Sequence, residues 1–240
     1  MVSVCLASYN GERFIKEQIE SILSELLPED ELLISDDGSS DKTMQIINDL
    51  KDSRVKVYHN EFKNHIKNFE FLLNKVSGEY IFLSDQDDVW IAGKVRICLS
   101  HLQTYDLVLS NCILIDGNDN IIEESYFQKL PKTGFFRTFY KNIYTGCCLA
   151  FNRKILKYCL PFPDRLNSHD MWIGMIAELK GKPIVIKDRL IKFRRHGDNF
   201  SSSVSEDTFI THKSPYTFKQ IVSDRLYMLK HLIKVLHVGK

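Results

Sequence analysis

Several features that commonly betray function are missing from this sequence. No apolar run approaches the 18 or so residues that a bilayer span requires, and no leader-like segment precedes the strand-forming Val2-Ser3-Val4-Cys5-Leu6. The chain is therefore expected in the cytoplasm, or at the inner face of the cell membrane. The six cysteines (Cys5, Cys98, Cys112, Cys147, Cys148, Cys159) include no CxxC spacing, and five lie in or beside apolar segments. That suits reduced thiols packed as small hydrophobes. A formal net charge of +1 leaves no global field to attract nucleic acid. The glycine-rich phosphate cradles are absent too: no GxGxxG follows the first strand, and GxxxxGK[ST] occurs nowhere. Neither an internal repeat nor a low-complexity tract is present.

What remains is ordinary globular material: 240 residues, 44% hydrophobic and 26% charged, enough for one large α/β domain or two small ones. Its most informative stretch is Tyr80-Ile81-Phe82-Leu83-Ser84-Asp85-Gln86-Asp87-Asp88-Val89-Trp90, a buried-strand signal that ends in three acids within four positions. Crowded carboxylates repel one another and call for a cation or a role. The alternative is a polar turn that happens to be acidic. Earlier in the chain, Val2 to Ala7 reads as a strand broken by Ser8-Tyr9-Asn10-Gly11, followed by helical spacing from Phe14 to Leu26. Leu32 to Ser35 reads as a second strand, stopping at Asp36-Asp37-Gly38-Ser39-Ser40-Asp41 before a helix carried by Met44, Ile46, Ile47 and Leu50. Val55 to Tyr58 (strand) and Asn68 to Val76 (helix) complete the alternation, which predicts right-handed βαβ crossovers and a mainly parallel sheet flanked by helices.

The second half is less regular. The sequence predicts a helix over 94–102, a strand over 107–115, a helix over 135–140, a strand over 144–151 and a short helix over 153–158. The Asp116 to Asn120 turn resembles the start of an EF-hand loop, but Ile121 and Phe127 stand where glycine and glutamate are needed, so calcium is rejected. Ser168 is placed to cap a helix ending at Gly181, which puts Asp170 in its first turn. Two strand-like runs, 183–186 and 190–193, lead to Arg194-Arg195-His196-Gly197-Asp198-Asn199, and a polar link over 201–207 precedes a last helix over about 216–236. The stretch from 213 to 240 mixes Lys213, Lys219, Arg225, Lys230, Lys234 and Lys240 with apolar Ile221, Leu229, Leu232, Ile233 and Leu236. It is either a solvated face or a membrane-surface element. In a parallel sheet the Asp36-Asp37 and Asp85-Gln86-Asp87-Asp88 groups converge on one edge, which fits a nucleotide and a hard divalent cation bridging its diphosphate. Asp36-Asp37 alone would equally suit a helix-capping turn. His196 could be a packed histidine, and Trp90 and Trp172 could be core.

Five ordered motifs carry a family resemblance: Ala7-Ser8-Tyr9-Asn10-Gly11, Ser35 to Asp41, Ser84 to Trp90, His169-Asp170-Met171-Trp172 and Arg195 to Asn199. Together they resemble the family 2 glycosyltransferases, most nearly the bacterial rhamnosyltransferase-like members that build surface polysaccharide such as O-antigen or capsule. The resemblance covers about residues 1–203. It implies a GT-A fold, a nucleoside-diphosphate sugar donor, a glycan or polyprenyl-linked acceptor, a divalent cation (Mg²⁺ or Mn²⁺) and inversion at the anomeric carbon. By the same resemblance Ser8, Tyr9, Asn10, Asp36, Asp37, Asp85, Gln86 and Arg195 would bind the nucleotide sugar. Asp87 and His196 would hold the metal, Asp170 would be the general base, and His169 and Trp172 would lie on the acceptor side. An imidazole ligand tilts the metal toward manganese. Met171 stands where an aromatic is frequent and Arg194 where tyrosine is frequent. The chain is expected to divide into a GT-A domain over 1–205 and a basic amphipathic helical extension over 206–240, and the mixed basic and apolar character of residues 213–240 predicts peripheral membrane association. A sugar nucleotidyltransferase or a non-catalytic nucleotide-sugar binding module is the alternative reading, although the former should open with a glycine-rich turn after the first strand.

Overall fold

Strand β1 (Val2–Ser8) is buried along its whole length, as a strand covered on both faces must be. Helix α1 (Ile15–Leu23) returns over the sheet with Ile15, Gln18, Ile19 and Ile22 inward, one face of a 3.6-residue period. It leads to β2 (Glu31–Asp36), which pairs with β1 in parallel from Ser3↔Glu31 to Ser8↔Asp36. Helix α2 (Thr43–Asp49) and strand β3 (Val55–His59) repeat the unit outward on β2. After helix α3 (His65–Leu73) the chain crosses to the other side of β1, where β4 (Tyr80–Ser84) pairs with it in parallel. Growth of the sheet therefore reverses between β1 and β4, and the crevice outside the carboxyl ends at such a switch point is where α/β sheets bind ligands.

The remaining elements are β5 (Val89–Trp90), α4 (Lys94–Leu102), β6 (Leu107–Ile115), β7 (Ile121–Glu123), α5 (Phe135–Tyr140), a 3₁₀ turn (Gly146–Cys148), β8 (Leu149–Asn152), α6 (Arg153–Cys159), α7 (His169–Lys180), β9 (Pro183–Arg194) and α8 (Phe218–His237). The structure, a computed structural model, describes residues 1–196 and 217–237. Gly197, Asp198 and Asn199 of the last motif, the link over 201–207 and Lys213 lie outside the described residues. Among those described, nine strands form one sheet in the order β3-β2-β1-β4-β8-β6-β9-β5, with β7 on β6. β8 runs antiparallel to both β4 and β6, and β9 is parallel to β6, so the sheet is mostly parallel with antiparallel members.

Three boundaries depart from the sequence-based expectation. Helix α3 begins at His65 rather than Asn68, because the Asn64 side chain accepts from the amides of Ile66 and Lys67 and caps it one turn earlier. The strand expected over 144–151 is a 3₁₀ turn followed by a four-residue strand, since the Cys148 amide closes back on the Thr145 carbonyl at 3.0 Å. The runs 183–186 and 190–193 form one strand, whose register against β6 shifts on both sides of Asn111. All six cysteines are free and buried. Helix α8 is seated by buried Met228 and Leu232 and by a hydrogen bond from Asn167 to Asp224. No helix among the described residues is long and apolar enough to cross a membrane.

Candidate active site

A cleft of about 670 Å³ opens at the carboxyl ends of β1, β2 and β4 and is closed on its far side by the first turn of α7 and the end of β9. Ser8, Tyr9, Asp37, Asp85, Gln86, Asp87, His169, Asp170 and Arg195 all line it, so motifs far apart in sequence meet in one place. Asp37 accepts from the amides of Lys63 (3.0 Å) and Asn64 (2.9 Å), which fixes the entry to α3 against the end of β2. Gln86 clasps the β1 loop in both directions: its Oε1 accepts from the Tyr9 amide at 2.8 Å, and its Nε2 donates to the Tyr9 carbonyl at 2.9 Å. A side chain at Gly11 would collide with that amide group, so the residue after Asn10 has to be small.

Four sequence-predicted site residues, Asn10, Asp36, Trp172 and His196, do not line the cleft, although His196 reaches Asp87 at its margin. Asp36 is buried beneath the loop, its carboxylate taking the Ser8 hydroxyl (3.0 Å), the Ser39 hydroxyl (2.5 Å) and the Ser39 amide (2.9 Å). Burial and these three donors give it a structural place under the loop. Asn10 ties the same loop together, with its amide donating to Ser39 Oγ and its side-chain oxygen accepting from the Ser40 amide, both at 2.8 Å. Trp172, expected on the acceptor side, is a core residue: it is 2% exposed, and its indole N–H donates to the Cys159 carbonyl at 2.8 Å. Trp90 is buried as well.

The acids at the end of β4 divide by environment. Asp85 lies 3.4 Å from His65 Nε2. Burial works against its ionised form, but the His65 contact outweighs it and holds the Asp85 carboxyl below the ordinary range. His65 in turn is pushed up: burial opposes its charge, yet Asp85, with Asp170 and Asp87 nearby, prevails. Asp88 is wholly buried, accepts the Arg194 amide at 3.0 Å on Oδ1, and has no partner for Oδ2. Burial first, then the Asp87 and Asp85 charges, drive its pKa well up. Oxygen and sulfur atoms of Asp85, Asp88 and Cys147 lie within 4.8 Å of one another. That trio suits a hard cation poorly, because a cysteine sulfur is a soft donor where such an ion takes oxygen ligands.

Asp87 fits better. Its Oδ2 lies 2.9 Å from His196 Nε2 at the cleft margin, and its carbonyl is pinned by Arg194 Nε at 2.8 Å. A carboxylate oxygen and an imidazole nitrogen at that separation form a mixed donor pair suited to manganese more than magnesium. Arg194 is itself 1% exposed and reaches Asp119 (2.7 Å) and Glu17 (3.0 Å), so it braces the acid loop from behind.

At the opposite wall, Ser168 caps α7 by accepting the Met171 amide. Asp170 Oδ1 takes the Ser168 hydroxyl and the Met171 amide, the latter at 2.7 Å, and Oδ2 has no donor among the described residues. Burial raises its pKa against the pull of those two donors, with the Asp85 charge adding to the rise. A cleft carboxylate whose proton affinity is raised by burial is suited to accept a proton. His169 stacks on Phe69 at 4.4 Å, and burial followed by the His65 charge pushes it down to about 3, so it is neutral. Its Nε2 is buried without a partner.

Sequence reasoning missed Lys63, Asn64, His65 and Asn68, together with Tyr126, Thr145, Gly146 and Phe193, all of which line the cleft. The first four had a signal. Strand β3 delivers its end to the same sheet edge as β1 and β2, and an Asn64 cap would have set the start of α3 there.

A mostly parallel sheet with its acids gathered at the switch-point edge, and a further carboxylate facing them from a helix start, defines a GT-A-type transferase. Residues 3–160 match Glycosyl transferase family 2, and the chain belongs to that family. It is similar to the UDP-Glc:alpha-D-GlcNAc-diphosphoundecaprenol beta-1,3-glucosyltransferase WfgD of Escherichia coli, with 30% identity over 74% of this chain and 70% of that protein. It is also similar to the dTDP-rhamnosyl transferase RfbG of Shigella flexneri, with 29% identity over 63% of this chain and 55% of that protein. Among solved structures, S. aureus TarS 1-349 in complex with UDP-GlcNAc shares the fold, with a TM-score of 0.71 and 21% identity over 98% of this chain and 70% of that one. In another structure of S. aureus TarS 1-349 the chain spans 60% of that protein's length.

Proposed function

We propose that this chain transfers a sugar, with inversion, from a nucleoside diphosphate to a hydroxyl of a lipid-linked or glycan acceptor in bacterial surface polysaccharide assembly. The observation that carries this reading is the position of Asp170. One of its oxygens is fixed by Ser168 and Met171, the other is open, and it faces the same cleft as Asp37, Asp85 and Asp87. Asp170 takes the proton of the acceptor hydroxyl as that oxygen bonds to the anomeric carbon. The bond from that carbon to the diphosphate breaks on the opposite face, and its electron pair leaves with the nucleoside diphosphate. Asp37 and the start of α3 hold the nucleoside side, while Lys63 and Arg195 offer the cleft's cationic side chains to the diphosphate. A divalent cation held by Asp87 and His196 would supply the charge that stabilises the leaving group.

The names of the relatives support the finer points in different degrees. WfgD is named for a UDP-glucose donor and a diphosphoundecaprenol acceptor and RfbG for a dTDP-rhamnosyl donor, so rhamnose is one candidate sugar. A lipid-linked acceptor fits work at the cytoplasmic face of a membrane. The reading keeps a catalytic domain over 1–205 and an extension over 206–240, whose helix α8 exposes Val222, Leu226, Ile233 and Leu236 alongside Lys219, Lys230 and Lys234. The test is a panel of UDP-, dTDP- and GDP-sugars scored by thermal stabilisation with Mn²⁺, Mg²⁺ or chelator. One donor should raise the melting temperature only with metal and then be consumed when acceptor is added. Metal-dependent binding with no turnover of any donor would instead favour a non-catalytic binding module.

A further inference from the structure

Residues 125–142, between β7 and the 3₁₀ turn, contain four cations (Lys129, Lys132, Arg137, Lys141) and no acid. All four cations are exposed, and none has a carboxylate within ion-pair distance among the described residues. Between them stand the most exposed large hydrophobics among the described residues, Phe136 at 85% and Tyr140 at 89%, with Leu130 at 44%. Phe136 and Tyr140 are one turn apart on α5 and so share a face. The fold does not need them, because the inward face of α5 is already satisfied by buried Thr138 and by Phe135 and Phe139, which pack on the core.

The segment is also firmly held. Asn111 takes the Phe127 amide at 2.9 Å and donates to Ser125 Oγ at 2.7 Å. Glu178 on α7 accepts from the Gly134 amide (2.8 Å), Thr138 Oγ1 (3.3 Å) and the Tyr144 hydroxyl (2.9 Å). The exposed aromatics thus ride on the helix whose first turn carries Asp170. Their segment starts and ends at the cleft, with Tyr126 lining it at one end and Thr145 and Gly146 just past the other.

We infer that the outward face of α5 and its approach, Leu130, Phe136 and Tyr140 ringed by Lys129, Lys132, Arg137 and Lys141, docks on an anionic lipid surface beside the mouth of the cleft. Aromatic rings suit the headgroup boundary, where an apolar body is buried while a polar tip stays wet. Surface cations add attraction to acidic headgroups that is screened over about 8 Å at physiological ionic strength. A second copy is the poorer occupant, since a two-fold contact would set the four cations against their own image. A sugar platform would use the rings but leave the cations and Leu130 without purpose. The inference goes beyond sugar transfer, because binding to lipid requires neither donor nor acceptor.

The test is co-sedimentation of the full chain with phosphatidylcholine vesicles, with or without phosphatidylglycerol, at low and high salt. The wild type should bind only the anionic vesicles and be released by salt. The double variant Phe136→Ser/Tyr140→Ser should bind at least tenfold more weakly. Lys132→Glu/Lys141→Glu should lose about fivefold or more for each cation removed. Because all four side chains are exposed, the melting temperature and donor binding should not change. Equal binding by wild type and both variants would overturn the proposal, as would binding lost only on charge reversal of Lys230 and Lys234 of α8. It would also be overturned if the aromatic variant lost dimerisation in sedimentation velocity, or glycan binding, while its vesicle binding persisted.

Discussion

Asp170 is held by opposing effects, and each can be moved separately. Burial favours its protonated form, while Ser168 Oγ and the Met171 amide favour the carboxylate. A base works only when ionised, so transfer should rise with pH along an acid limb that lies above the ordinary carboxylate range. Ser168→Ala removes one donor and should shift that limb further up in a kcat/KM profile, with a cap loss of about 0.5–2 kcal/mol in urea titration. Asp87→Asn keeps shape but removes a formal charge, so calorimetry of nucleoside diphosphate binding with and without Mn²⁺ should show the metal's contribution gone. Unchanged metal dependence would count against Asp87. His169 makes a stability prediction with a definite sign. Its pKa falls from 6.5 to about 3 on folding, so its contribution is present above 6.5 and is lost as pH falls toward 3, where unfolding takes up an extra proton. His169→Phe should flatten that part of the stability–pH curve. At this scale the sequence displayed residue chemistry but not direction. Asp36 and Asp37 are adjacent and alike, yet Asp36 is consumed by Ser8 and Ser39 while Asp37 faces the cleft.

Helices α3 and α7 and strand β9 turn these residues into a site. Gly174 lies within α7, where glycine costs about 1 kcal/mol relative to alanine, but a Cβ there would occupy the ring of Tyr144. Gly174→Ala should therefore destabilise the protein by about 1–3 kcal/mol despite better helix propensity, read as a drop in the urea midpoint. Arg194 closes β9 onto the acid loop. Arg194→Met should cost about 2 kcal/mol and weaken metal-dependent donor binding more than it slows turnover, because it frees the Asp87 carbonyl without touching Asp170. Elements whose cause is local, such as β1, β4 and the Ser168 cap of α7, were legible from periodicity and cap chemistry. The start of α3 was misread because Asn64 sits among polar residues that look like loop. The break at Gly146 depends on backbone bonding that apolar composition does not reveal.

For the whole molecule, the parallel half was readable because each strand there is an apolar run followed by an amphipathic return helix. The insertion of antiparallel β8 between β4 and β6 was not, since Tyr80↔Asn152 and Leu107↔Phe151 pair across long stretches of chain whose order no local pattern encodes. That insertion is nonetheless what brings the 3₁₀ turn, α7 and the end of β9 around to face the β1–β4 crevice, so Asp170 and the acids after β2 and β4 meet there from opposite halves of the sequence. The most direct test of this convergence is single-turnover transfer from the donor that binds, to a diphosphate-lipid-linked sugar acceptor, by wild type and Asp170→Asn. Donor affinity and melting temperature are measured on the same preparations. Affinity and folding should survive while transfer slows by about 10²- to 10⁴-fold. Transfer at near wild-type rate by folded Asp170→Asn would contradict the account.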